Sequence, residues 1–115
     1  MKDELKYKYS VVEVPNSGYK RIKLPDEISA VELLIYDMES FREPIFIDFI
    51  NKVLSGESNG ECIGGNVCAL MISSDFTKVT NNFITDGMQE SCMIETTELK
   101  KIIEIWITEN KEVLR

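Results

Sequence analysis

The residues best placed to do chemistry are acidic. Asp37, Glu39, Glu43 and Asp48 fall within twelve positions, and Glu57 and Glu61 follow shortly after. Paired carboxylates can act as general acid and base on a glycoside, or hold magnesium against a phosphate substrate. Neither chemistry is well supplied here. A sugar cleft needs more chain and aromatic surface than 115 residues with one tryptophan provide. A metal site is expected at a tight spacing such as D-x-D, which the chain lacks. Glu43 completes a capping-box pattern with Ser40, and Asp48 stands four residues before Lys52, the spacing of a helical ion pair. The expected role of the six carboxylates is a charged surface that faces solvent or a partner.

The stretch SGESNGECIGGN, Ser55 to Asn66, holds four glycines and could cradle a phosphate. A Walker loop, however, needs lysine and Ser/Thr after its last glycine, and here Asn66 and Val67 follow Gly65. Glu57 and Glu61 would repel an anion, and a strand rather than a helix N-terminus comes next. The oxygen donors lack the spacing of a calcium loop. The glycines therefore read as a helix cap, a turn and a bulge.

Absences narrow the chemistry further. The chain has no histidine, which excludes Ser-His-Asp and Cys-His catalysis and removes the commonest metal ligand. Cys62, Cys68 and Cys92 show no C-x-x-C spacing, and with no histidine a zinc site would need a carboxylate beside all three thiolates, so they read instead as buried thiols in a reducing compartment. No cofactor and no metal are expected. Charges of both signs interrupt the N-terminal MKDELKYKYS, which argues against a signal peptide, and no apolar run is long enough to span a bilayer. The expected location is the cytoplasm.

The net charge of −7 is unevenly spread: residues 1–24 carry six basic and three acidic groups, the rest seven and seventeen. Such a surface repels phosphate backbones, so nucleic acid is not an expected partner, whereas a basic protein would be drawn to it. Tyr7, Tyr9 and Tyr19 stand near lysines, but the signature segments of an RNA-recognition fold are absent, and cross-strand pairing is the expected role.

The elements that must position these residues follow from period and punctuation. Tyr7 to Val14 and Tyr19 to Leu24 read as strands joined by the turn Pro15-Asn16-Ser17-Gly18. Ala30 to Asp37 (AVELLIYD) reads as a third, more buried strand. A helix capped by Ser40 and Glu43 then carries the stripe Phe46, Phe49, Ile50, Val53 and Leu54, stopped by Gly56. Val67 to Ser73, Thr77 to Thr85 and Cys92 to Glu95 read as strands, with a turn at Asp86-Gly87. Thr96 or Thr97 is expected to cap a last helix striped by Leu99, Ile102, Ile103 and Trp106. The order is βββ-α-βββ-α: one α+β domain over 1–115, with an antiparallel sheet of five to six strands and two helices. Ile105 and Ile107 widen the last stripe, which leaves open a homodimer or another regulatory partner on that helix.

Three segments carry a family resemblance: FIDFINKVLSG (Phe46 to Gly56), GGNVCALMISSDFTKVTNNF and CMIETTELKKIIEIW. Together they resemble the small bacterial immunity proteins of contact-dependent inhibition and related polymorphic-toxin systems, over roughly residues 31–107. The resemblance implies a catalytically inert cytoplasmic protein that binds the C-terminal domain of a cognate secreted toxin and covers its active site or substrate-binding face. Many such toxins are nucleases with basic clefts. Asp37, Glu39, Glu43, Asp48, Glu57 and Glu61 are then the expected toxin-binding face.

Overall fold

The computed structural model describes residues 5–82 and 89–114. Among the described residues, six strands and three α-helices run in the order β1 (Ser10–Glu13), β2 (Lys20–Lys23), α1 (Val31–Phe41), α2 (Ile47–Leu54), β3 (Glu61–Gly64), β4 (Cys68–Ile72), β5 (Phe76–Asn81), β6 (Ser91–Glu95) and α3 (Thr96–Asn110), with a 3-10 turn at Asp26–Ile28. The α+β class holds, but the strands form two antiparallel sheets. One is the β1–β2 hairpin; the other is a four-stranded meander, β3-β4-β5-β6.

The main difference from the sequence reading lies at Ala30 to Asp37, which is helical. Val31, Leu34, Ile35 and Met38 recur at helical spacing and are all buried. The β-branched and aliphatic run resembles a buried strand because Leu33 and Asp37 are buried as well, leaving few polar positions to mark the helical period. Ser40 therefore lies inside a helix, and Ser40-Phe41-Arg42-Glu43 ends that helix where a capping box would begin one. Arg42 adopts the left-handed conformation at φ 59°. Its N–H bonds to the Glu39 carbonyl and that of Glu43 to the Met38 carbonyl, the pattern of a Schellman stop.

A second correction concerns the glycine-rich stretch. Gly56 does stop α2 with φ 83°, but Glu61–Gly64 is a strand, β3, and no bulge is needed to account for it. At the last helix, Thr96 is not a cap. It opens α3, and its hydroxyl bonds to the Ser73 carbonyl and the Thr77 hydroxyl, tying the helix to the β4–β5 turn. Phe83, Ile84 and Thr85, expected to continue β5, and the expected Asp86-Gly87 turn lie outside the described residues.

The core is a layer of helices on one face of the four-stranded sheet. Leu70, Ile72, Val79 and Ile94 point inward from alternate strand positions to meet Leu34, Ile50, Leu99, Ile102 and Trp106. The hairpin packs β2 against α1 and α3. There Tyr19 stacks on Trp106, with ring centroids 6.5 Å apart and planes 13° apart. Asn110, also buried, accepts from the Lys20 N–H and donates to the Lys20 carbonyl, so a side-chain amide satisfies the backbone of β2. Two of its three basic residues pair within the molecule: Arg21 with Glu39, and Lys20 with Glu109.

Candidate functional site

The six candidate carboxylates are not one cluster. Asp37 is 1% exposed. One of its oxygens accepts the N–H of Asn66 at 2.9 Å and of Val67 at 3.1 Å; the other accepts the N–H and the thiol of Cys68 at 3.2 and 3.3 Å. Three successive backbone donors thus converge on one carboxylate, the geometry of an anion-binding nest. The glycine-rich segment does cradle an anion, and that anion belongs to α1 of the same chain. Gly65 permits the approach, because a Cβ there would fall 2.2 Å from Asp37 Oδ2 and 3.1 Å from the Phe46 ring. Burial and the neighbouring Asp37 push the Cys68 thiol well above its ordinary range. Asp37 is therefore buried as a fastening between α1 and the β3–β4 turn.

Glu39 is half-buried and spanned by Arg21, whose Nε and Nη2 lie 2.8 and 3.1 Å from its two oxygens. Glu61 is half-buried at the start of β3 and is held by the Ser58 hydroxyl. Glu43, Asp48 and Glu57 are exposed. Asp48 and Glu57 line one shallow hollow along α2 with Phe49, Asn51, Lys52 and Ser55. Lys52 lies over the Phe49 ring, 5.7 Å from its centroid. The arrangement offers an acidic surface on the α2 side of the molecule. Among the described residues no group of three or more His, Cys, Asp or Glu side chains is disposed to hold a metal ion.

The opposite face of the sheet was not singled out from the sequence. No helix covers it. Cys62, Met71, Lys78 and Met93 stand directly opposite one another across β3, β4, β5 and β6, all exposed. Met71 is 57% and Met93 56% exposed, and Phe76 on the same face is 46% exposed. The neighbouring row is small: Gly64, Ala69, Thr80 and Ser91. The signal was present as alternation, since Met71 and Met93 occupy the positions between the inward-facing Leu70, Ile72, Cys92 and Ile94.

One edge of this sheet is strapped by the chain near its N-terminus. Lys6 Nζ and the Tyr7 hydroxyl both bond to Glu95, and the Lys6 N–H donates to Glu98 at 2.6 Å. These bonds hold the Glu95 carboxyl down from its ordinary 4.5 to about 2, the Lys6 bond contributing most. The candidate partner stripe on α3 is occupied from inside: Ile105 and Ile107 are half-buried and packed on the core. No helix among the described residues is long and apolar enough to cross a membrane.

No family model matches the chain, and no solved structure matches it. Among curated proteins it is 38% identical over 109 residues to an immunity protein of Bacillus cereus, an alignment that spans 94% of this chain and 92% of that protein. A relation of that strength over nearly the whole of both chains places this chain in the immunity-protein family.

Proposed function

We propose that the protein is a cytoplasmic antitoxin that neutralises a cognate secreted toxin by binding it, without catalysis. The carrying observation is the end-to-end relation to the Bacillus cereus immunity protein. The toxin we propose is a C-terminal nuclease domain of a contact-dependent or other polymorphic-toxin system, occluded at its active site or substrate-binding face. A cleft that holds phosphate is basic, and a chain of net charge −7 approaches it faster than a neutral one would. The exposed Glu43, Asp48 and Glu57, with the half-buried Glu39 and Glu61, supply that charge. Asp37 serves the same surface only indirectly, by fixing α1 to the turn that precedes β4.

Co-expression tests the proposal. Cells that carry the toxin gene found beside this one should survive when this chain is made with it, and death despite soluble expression would refute the antitoxin reading. For the acidic surface, the triple reversal Glu43→Lys, Asp48→Lys, Glu57→Lys should slow association with the toxin domain about tenfold or more at low salt and flatten its salt dependence. Unchanged association rates would remove these residues from the contact.

A further inference from the structure

We infer that the uncovered face of the four-stranded sheet, around Met71, Lys78 and Met93, is the desolvated centre of the toxin contact, and that it takes an apolar toxin surface bearing a carboxylate. The inference rests on the antitoxin reading and adds to it where the partner sits and what its surface is made of.

Sheets with one face bare normally alternate apolar-in and polar-out. Here the outward positions of the central row are Cys62, Met71, Lys78 and Met93, in a chain in which 29% of residues are charged. Methionine is a pliable contact residue, able to repack against a surface of imperfect fit. The row beside it is built of small side chains, so a partner can approach the sheet closely there. Lys78 stands between the two methionines and has no ion-pair partner among the described residues. The one carboxylate in the described rows of this face, Glu95, is already taken by Lys6 and Tyr7. A lone ammonium flanked by Met71, Met93 and Phe76 therefore asks its occupant for a carboxylate.

A second copy of this chain answers poorly. A two-fold stack presents the same patch on both sides, so it offers no free carboxylate to Lys78 and brings like charges together. Strands about 4.8 Å apart and about 3.4 Å per residue give this face a footprint of about 300 Å². A stable interface needs about 800 Å² on each side. A partner that continues past the sheet can reach that area. The continuation is available at the β3 edge, where Glu61 faces the helix side and the next residue, Cys62, faces out. Since α2 packs beneath β3, a toxin domain folded over this edge meets Asp48, Glu57 and Glu61 on one flank and Met71 and Lys78 on the other.

Isothermal titration of the purified toxin domain encoded beside this gene tests the inference, using wild type, Met71→Ser, Met93→Ser, Lys78→Met and Lys78→Glu. All these positions are exposed, and thermal melts check that each variant keeps its fold. Truncating either methionine should weaken binding about 30-fold or more, as at the centre of an interface. Lys78→Glu should weaken it more than Lys78→Met, because only the former sets like charges against each other. Wild-type binding that persists unchanged in all four variants would overturn the inference and leave the antitoxin reading standing. Failure of the wild type to bind would remove both. A wild-type dimer in light scattering that Met93→Ser dissociates would assign the face to a second copy and overturn the proposal.

Discussion

Asp37 and Gly65 stand 28 positions apart and make one device. The carboxylate satisfies three successive backbone N–H groups, that of Cys68 fully buried, and the missing side chain at Gly65 makes room for it. Removing the acceptor leaves the buried Cys68 N–H unpaired and frees two part-buried donors, which costs more than the net value of the bonds themselves. Asp37→Ala should therefore destabilise the fold by about 3 kcal/mol. Gly65→Ala, which drives a methyl into the same carboxylate, should cost about 2 kcal/mol or more. Urea denaturation of both variants checks this, and a loss within about 0.5 kcal/mol of zero, the range of a neutral surface change, would contradict the role given to Asp37. The two residue types were visible in the sequence, but their meeting was not. An aspartate after a hydrophobic run reads as the end of buried structure, and only donors brought in from a distant turn make it a core residue.

Among the elements, the strap formed by Lys6 and Tyr7 gives the clearest dependence on conditions. Glu95 is depressed on folding, so its contribution to stability is complete above its ordinary value of 4.5 and is lost as pH falls toward about 2. Urea midpoints measured from pH 5 to pH 2 should fall more steeply for the wild type than for Glu95→Gln. Parallel curves would show that the strap carries no linked proton. The elements also mark where local pattern suffices. The hairpin turn, the α2 stripe closed by Gly56, β4, and the α3 stripe of Leu99, Ile102, Ile103 and Trp106 follow from period and punctuation alone. Helix α1 does not, because its buried positions extend past a single stripe to Leu33 and Asp37 and blur the 3.6-residue period. Its stop is hidden as well, since Arg42 occupies a left-handed position where glycine is usual. Strand β3 is masked by Gly64 at its end, by the flanking Gly60 and Gly65, and by an inward-pointing glutamate at the edge of the sheet.

At the scale of the molecule, charge and apolar surface divide the work. In the proposed complex the acidic flank along α2 would act at a distance and set how fast a basic partner arrives. The bare sheet face would supply the surface that is dried and packed. Composition made the first legible, while the second needed strand register to align Met71, Lys78 and Met93 in one row. On the antitoxin reading proposed above, both belong to a protein that works by occupying its target. Its effect must then be stoichiometric, which an activity titration measures directly. Purified protein is added in steps to a fixed concentration of the toxin domain, well above the dissociation constant, and the remaining toxin activity is read at each step. Activity should fall in a straight line and vanish at one molar equivalent. Loss of activity at a small fraction of an equivalent, growing with time, would mean that this chain turns over a substrate, and full activity in excess protein would mean that the toxin is not its target.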